Sequence, residues 1–188
     1  MIAIPTPRLL DDEALSWSSV VANSAMNRER GLEGGNSYAK ELGIDVLGFL
    51  HERLREGGRV AWLDLCCGSG KALIEAGERL CDATGDVEIL GVDLVPMFVR
   101  VPTGLSCVTL READLRSWCP ERRYDLITCV HGLHYVGDKL GLVARALGWL
   151  EDDGIFVASL DSSAIRYADG RPATRRIAAA LRQTVSLR

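Results

Sequence analysis

From residue 60 onward the chain alternates between short apolar runs and stretches in which apolar residues recur every three or four positions. The short runs predict five strands, over residues 60–65, 87–92, 106–111, 124–130 and 155–160. The helical spacing predicts helices over residues 69–80, 139–150 and 175–187. Strands that alternate with helices favour an α/β fold, a doubly wound, mostly parallel sheet with helices on both faces.

Three connections in this part of the chain contain turn residues. Pro96 and Pro102 bracket the segment after the second strand, so at most a short helix is predicted there. Residues 113–115 are predicted to begin a turn and a short helix. Residues 151–154 are predicted to form a turn before the fifth strand.

The first 58 residues have helical rather than strand patterns. Acidic residues begin and arginines end the stretch 11–30, which suits the dipole of a helix. A connection over residues 31–35 leads to further helix over 37–56, strongest over 45–55, which Gly57 and Gly58 end. We therefore divide the chain into an N-terminal helical cap or lid, residues 1–58, and an α/β core, residues 59–188, within one domain overall.

The first strand continues into a turn of small residues, VAWLDLCCGSGKA over residues 60–72. The order is strand, glycine-containing turn and helix. Glycine lets a ligand lie against the backbone because no Cβ intervenes, and the first turn of a helix offers unpaired N–H groups. This turn is therefore the predicted ligand site.

Spacing separates the cofactor classes that use such a turn. In a dinucleotide fingerprint beginning at Gly68, the third glycine would fall at Leu73. In a phosphate-binding P-loop, Leu65 would replace the first glycine and Ala72 the hydroxyl that holds magnesium. Both interpretations fail.

What remains is an acidic residue at the strand end, Asp64, followed by Gly68 and Gly70. With this arrangement, residues 63–70 resemble the first motif of the class I S-adenosylmethionine-dependent methyltransferases, roughly apolar-x-D-x-G-x-G-x-G. The departure is Cys66, which stands where the family has its first glycine. A cysteine there argues against a left-handed backbone at that position.

The resemblance covers about residues 36–185 and implies a cofactor, S-adenosyl-L-methionine, with S-adenosyl-L-homocysteine as its product. The family sheet has strand order 3-2-1-4-5-7-6, and the pattern here lacks the last two strands. The fifth strand would then be an apolar edge of the kind that soluble proteins avoid exposing. We expect a homodimer or a partner chain to cover it.

The resemblance also implies roles for three acids that follow consecutive strands. Asp93 would accept the ribose hydroxyls. Asp114 would accept from the adenine amino group, with the Leu115 backbone N–H donating to the ring. Asp64 would orient the turn and accept from the amino-acid end of the cofactor, directly or through water. The implied cofactor-binding set is Asp64, Cys66, Gly68, Gly70, Asp93, Leu94, Asp114, Leu115, Val130 and His131. For Asp93 and Asp114 a capping role is the alternative.

Residues 131–138, HGLHYVGD, follow the fourth strand and contain two of the three histidines. In a doubly wound sheet the carboxyl ends of strands one and four flank the ligand crevice. The peptide at Val130 and His131 is then expected beside the methionine part of the cofactor. His131 and His134 are candidate general bases, and His134 or Tyr135 is expected to face the methyl acceptor. The alternative is that His134 only caps or packs.

The segment 23–38 is rich in polar and amide side chains. In the family, segments ahead of the first strand often fold over the cofactor and shape the acceptor pocket. This makes Asn36 and Tyr38 candidates for cofactor or substrate contact. A solvated connection is the alternative.

Composition narrows the class of protein. At 188 residues with 47% hydrophobic residues, the chain can bury the core of one domain. It has no run of 18 apolar residues and no export signal, so we expect a cytoplasmic protein without a membrane span. Its six cysteines include no C-x-x-C pair. They are expected to be small apolar residues in a reducing compartment, without disulfide or metal roles.

We therefore expect a methyltransferase that uses S-adenosylmethionine and acts on a small-molecule acceptor through an oxygen, nitrogen or carbon nucleophile. A non-catalytic or partner-dependent subunit of the same fold is the alternative. RNA or protein methylation is less favoured, because the net charge is −4 and only residues 162–188, with six arginines and one aspartate, are basic. The chain also lacks the N/D-P-P-Y/F motif of nucleic-acid and amide N-methyltransferases.

Overall fold

The computed structural model describes residues 29–81, 85–167 and 169–184. The helix predicted over residues 11–30 lies outside this part of the chain except for its last two residues, which are not helical. The described helices are α1 Tyr38–Leu42, α2 Val46–Gly57, α3 Lys71–Leu80, α4 Lys139–Gly148 and α5 Thr174–Thr184, with 3-10 turns at Gly132–Tyr135 and Ser162–Ala164. None of these helices is long and apolar enough to cross a membrane.

The strands are β1 Arg59–Leu65, β2 Asp86–Asp93, β3 Val108–Glu112, β4 Tyr124–Cys129 and β5 Leu150–Ala158. In the described part of the chain they form one parallel sheet in the order β3-β2-β1-β4-β5. This order confirms the doubly wound sheet predicted from the sequence. The strand order reverses between β1 and β4, and the carboxyl ends of these two strands flank the crevice where such sheets bind ligands.

Side chains of β1 alternate between two apolar cores, one on each face of the sheet. Val60 and Trp62 pack with residues of α1, α2 and α3, whereas Leu63 and Leu65 pack with residues of α4. Every residue of β1 after Arg59 is buried. Such burial is typical of a central parallel strand covered by helices on both faces.

The single helix predicted over residues 37–56 forms as two. The Ser37 hydroxyl caps α1, and Gly43, with φ of 65°, ends it. Asp45 then caps α2, which ends against Gly58, with φ of 68°. Both ends fall at glycine because it adopts the left-handed cap conformation without a steric penalty.

The turn predicted over residues 151–154 is wrong, because β5 already begins at Leu150. Pairing of β4 with β5 shifts register between Tyr124 and Leu126. Gly154 lies opposite this irregularity, where a Cβ would come within 2.8 Å of the Tyr124 carbonyl oxygen. Glycine therefore allows the strand to continue at a point where the sequence suggested a turn.

The segment after β3 also differs from the prediction. Only a turn follows Asp114, in which the Trp118 N–H donates to the Asp114 carbonyl oxygen at 2.8 Å. The short helix predicted there is wrong. Residues 94–102 contain no helix, within the limit set by the two prolines.

Two cysteines form a disulfide, which corrects the expectation that all six are unpaired. Cys81, at the end of α3, is bonded to Cys107, just ahead of β3, with Cα atoms 5.9 Å apart. The two residues are 26 positions apart in the sequence, with no motif to pair them. Cys66, Cys67, Cys119 and Cys129 are not part of a disulfide.

Candidate cofactor site

The acids predicted from the sequence follow three neighbouring strands. Asp64 and Asp93 lie at the ends of β1 and β2, and Asp114 lies two residues beyond β3. Because the carboxyl ends of parallel strands meet at one edge of a sheet, the three acids share that edge. The turn over residues 66–70 leaves β1 there, and His131 follows the end of β4 beside it.

The turn after β1 is left-handed at three positions, with φ of 60° at Cys66, 61° at Gly68 and 77° at Gly70. The expectation that cysteine disfavours this conformation at position 66 is therefore wrong. A left-handed residue that carries a Cβ costs about 1–2 kcal/mol, so neighbouring contacts must hold it. Cys67 provides two of them, since its N–H donates to Val92 and its carbonyl accepts from Gly70, both at 3.1 Å.

The Cys66 side chain occupies the space between the ends of β1 and β4. A Cβ at Gly132 would overlap Cys66 Cβ and would lie 2.6 Å from Cys66 Sγ and 2.9 Å from Cys129 Sγ. A hydrogen bond with Cys129, followed by burial, raises the pKa of the Cys66 thiol well above its ordinary value. The Cys66 thiol is therefore protonated and packs as an apolar side chain. It occupies the space left because Gly132 has no side chain.

Asp64 is completely buried, and its carboxylate is held by two hydroxyl groups. Tyr38 donates to Oδ2 at 2.6 Å, and Thr128 donates to Oδ1. Thr128 in turn accepts from the Trp62 indole N–H at 2.8 Å. Burial raises the pKa of Asp64 to about 7, although both hydrogen bonds act in the opposite direction. Asp64 thus anchors the end of β1 to β4 and to α1.

Tyr38, predicted at the cofactor or substrate, lies in the core with 4% of its surface exposed. Its ring packs edge-on against Trp62, with centroids 6.1 Å apart, and its hydroxyl is engaged by Asp64. Burial, with a smaller effect of the Asp64 charge, raises the pKa of Tyr38 well above its ordinary value. Asn36 is exposed, in a loop closed by the Gly31 N–H donating to the Asn36 carbonyl at 3.1 Å.

Asp93 ties the end of β2 to the turn after β1. It is half-buried, and it accepts from the Gly68 N–H at 2.9 Å and from the Val95 N–H at 3.0 Å. The Val95 contact is a local side-chain-to-backbone turn, and no helix follows in residues 94–102, so the helix-capping alternative raised for Asp93 is wrong. Each carboxylate oxygen has a further lone pair, so these bonds leave capacity for ligand hydroxyls. Leu94 beside it is 47% exposed.

Asp114 is bound to a neighbouring cation. It accepts from the Arg116 backbone N–H at 2.9 Å and from the Arg116 guanidinium at 2.7 Å. These bonds to Arg116 hold the pKa of Asp114 below its ordinary value. Leu115 is buried in the core on the α4 face, so of this pair only Asp114 presents a side chain outward.

The residues after β4 form the second side of the crevice. Val130 is buried, whereas His134 and Tyr135 are exposed. His131 has a left-handed backbone, with φ of 55°, and its ring lies 5.8 Å from that of His134. The structure therefore brings both candidate bases together on the surface of the crevice.

Sequence reasoning missed Glu41, which contacts His131. The Glu41 Oε2 to His131 Nε2 distance is 2.7 Å. Nothing in the sequence around Glu41 predicts this contact. The one available signal is that Glu41 follows Tyr38 by about one helical turn and so lies on the same side of the helix. In the described part of the chain, no group of three or more His, Cys, Asp or Glu residues is placed to hold a metal ion.

The fold defines a class: a Rossmann-like α/β protein whose glycine-containing turn lies where the strand order reverses. Residues 36–182 match the family model described as a methyltransferase domain. The chain belongs to this methyltransferase-domain family. The resemblance to the class I methyltransferases seen in the sequence is thereby confirmed.

Individual relatives agree with this family. A trans-aconitate 2-methyltransferase of Methylobacterium radiotolerans is 31% identical over 106 residues, which cover 56% of this chain and 39% of that protein. The plantazolicin methyltransferase BpumL, in complex with a pentazolic desmethylPZN analog and SAH, matches with a TM-score of 0.54 at 16% identity, over 87% of this chain and 66% of that one. The complex with a monoazolic analog gives 0.53 at 17% identity, over 78% and 56%.

The structural likenesses show the fold. The chain spans only part of the length of each of these proteins.

Proposed function

We propose that this chain binds S-adenosylmethionine at the carboxyl edge of its sheet and transfers the methyl group to a small-molecule acceptor. The observation that carries the proposal is the left-handed turn over residues 66–70, fixed by Asp93 at the point where strand order reverses. The family match supports the same cofactor. When bound, S-adenosylmethionine supplies a methyl group already activated by its sulfonium, so the protein has mainly to position the reactants.

The residues of the edge suit this cofactor. Asp93 keeps acceptor capacity for two ribose hydroxyls while it holds the turn. Gly70 begins α3, whose first N–H groups face the turn. Gly70 has φ of 77°, a left-handed backbone that favours glycine, and a Cβ there would also lie 2.5 Å from the end of the Leu110 side chain. Asp64, with no exposed surface, fixes the shape of the site from within.

The histidines after β4 are candidates for a role in activating the methyl acceptor. A general base at His131 or His134 contributes about 10²- to 10⁴-fold when the acceptor must lose a proton. An acceptor that attacks through carbon, or through an already basic nitrogen, depends on positioning alone. The two imidazole rings lie together at the crevice, which supports a protic acceptor.

A small-molecule acceptor is supported by two observations. The chain lacks the N/D-P-P-Y/F motif, and the relatives are named for trans-aconitate and plantazolicin. Incubation with radiolabelled S-adenosylmethionine and separate small-molecule, RNA and protein fractions tests this proposal. We expect label in the small-molecule fraction, and label confined to RNA or protein would contradict it.

Calorimetry tests the cofactor. We expect micromolar binding of S-adenosylmethionine and S-adenosylhomocysteine, weakened by about 1–3 kcal/mol in Asp93→Ala because charge-assisted hydrogen bonds are lost. Asp86→Ala is the matched control, since Asp86 begins the same strand at its opposite end. Absence of binding to the unchanged protein, with NAD or ATP bound instead, would overturn the assignment.

A further inference from the structure

A carboxylate and an imidazole from distant parts of the chain meet beside the crevice. Glu41 Oε2 lies 2.7 Å from His131 Nε2 across a sequence separation of 90 residues. The side chains are 30% and 33% exposed, so the pair is partly shielded from water. Such a contact joins α1 directly to the segment that follows β4.

The position of Glu41 is fixed by the rest of α1. Ser37, which has no exposed surface, caps the helix, and Tyr38 is bound to the buried Asp64. Glu41 follows Tyr38 by three residues and therefore lies on the same side of the helix. The Arg30 guanidinium lies 3.9 Å from the other carboxylate oxygen of Glu41. The helix and the Arg30 charge therefore hold the Glu41 carboxylate in place independently of its contact with His131.

His131 is held from its own side as well. Its backbone is left-handed, with φ of 55°, because it connects β4 to the 3-10 turn. Its ring lies tilted by 31° against that of His134. Among the residues that the structure describes, Glu41 is the hydrogen-bond partner of this ring, through Nε2.

The chemistry of the pair decides which nitrogen carries the proton. An ionised carboxylate can only accept, so Nε2 of His131 must donate to Glu41. This hydrogen bond holds the pKa of Glu41 below its ordinary value, with smaller effects of Arg30 and Lys40, so the carboxylate is ionised at neutral pH. In the neutral imidazole the lone pair is then on Nδ1.

We propose that Glu41 is a positioning residue, which fixes His131 with its proton on Nε2 and so makes Nδ1 the basic nitrogen of the acceptor site. This inference rests on the proposed methyl transfer to a protic acceptor. In that reaction the acceptor's proton moves to Nδ1, and the acceptor's electron pair forms the bond to the methyl carbon. The carbon–sulfur bond breaks, and its electron pair stays on sulfur.

Nitrogen NMR of the histidine rings tests the proposal on the unliganded protein. Signals are assigned by their loss in His131→Gln and His134→Gln. We expect the Nε2-protonated form of His131 to predominate, and its ratio to the Nδ1-protonated form to fall about tenfold in Glu41→Ala. Glu41→Gln, which can still accept through its amide oxygen, should keep part of the preference. Lys40→Gln, which removes a neighbouring charge from the same helix, is the control and should leave the ratio unchanged.

Two results would overturn the proposal: an Nδ1-protonated His131 in the unchanged protein, or the same ratio in Glu41→Ala as in the unchanged protein. Binding of S-adenosylhomocysteine, measured on the same samples, shows that each variant is folded and should persist in Glu41→Ala. If the histidine signals are as expected but the unchanged protein does not bind the cofactor, the proposed function is refuted. The inferred proton position in the Glu41–His131 pair is then still supported.

Discussion

At the scale of single residues, Asp64 is a completely buried acid. Its side chain is fully buried, and burial raises its pKa to about 7 against the effect of the Thr128 and Tyr38 hydrogen bonds. An acid whose pKa is higher in the folded than in the unfolded state binds its proton more tightly when folded. Its contribution to stability is therefore fully present at low pH and is lost as pH rises through the folded value.

The stability of the protein should reflect this titration. We expect the free energy of unfolding of the unchanged protein, relative to Asp64→Asn, to fall by about 1.4 kcal/mol between about pH 6 and about pH 8. Asparagine keeps the size of the side chain and removes the proton equilibrium, so the difference isolates position 64. Urea unfolding at a series of pH values measures it. If the difference in unfolding free energy does not change with pH over this range, Asp64 does not titrate within it.

The contact between Cys66 and Gly132 gives a second prediction for single residues. Gly132→Ala places a Cβ into the Cys66 side chain and should destabilise the protein by about 1–3 kcal/mol, the cost of overpacking. In a Cys66→Gly background most of this cost should disappear. A double-mutant cycle measured by chemical denaturation gives the coupling energy. Additive effects would show that Gly132 is required for another reason.

At the scale of elements, the disulfide connects the end of α3 to the start of β3. Closing a loop of this length stabilises a folded chain by about 3.5 kcal/mol in the chain-entropy model. We expect Cys81→Ser to lower the unfolding free energy by about that amount, whereas Cys119→Ser, at an exposed free cysteine, should have little effect. Thermal and urea unfolding under non-reducing conditions measure both variants.

An unchanged stability in Cys81→Ser, or six titratable thiols in the protein denatured without reductant, which exposes the buried Cys67 and Cys129, would show that the bond does not form in solution. The bond also bears on location, since structural disulfides are rare in a reducing cytosol. The cytoplasmic location expected from the sequence stays a prediction.

At the scale of the whole molecule, the outer edge of β5 bears on whether the protein assembles with another chain. In the described part of the chain β5 pairs only with β4, and its residues from Gly154 to Ala158 are half-buried. An unpaired apolar strand exposes a row of backbone hydrogen-bonding groups. The homodimer or partner chain expected from the sequence stays a prediction, and light scattering at low micromolar concentration tests it, with a species larger than a monomer as the expected result. A clean monomer with a cooperative, reversible melt would refute this prediction.

Much of the fold could be predicted from the sequence, because the relevant signals are local. The five apolar runs became the five strands, and the acids at their ends fall along one edge. The error at residues 151–154 has a cause outside the local sequence. The turn predicted at residues 151–154 failed because Gly154 serves a bulge against Tyr124, a requirement set by a neighbouring strand.

The sequence by itself determined the order of elements, the glycine-containing turn and the acids beside it, since each depends on residues close together in the chain. Only the tertiary structure decided which distant groups meet: Glu41 with His131, Cys81 with Cys107, and Cys66 with Gly132. The physical reason is that hydrophobic periodicity fixes which face of an element is buried, whereas the partner of a polar or sulfur atom depends on how those faces pack in space.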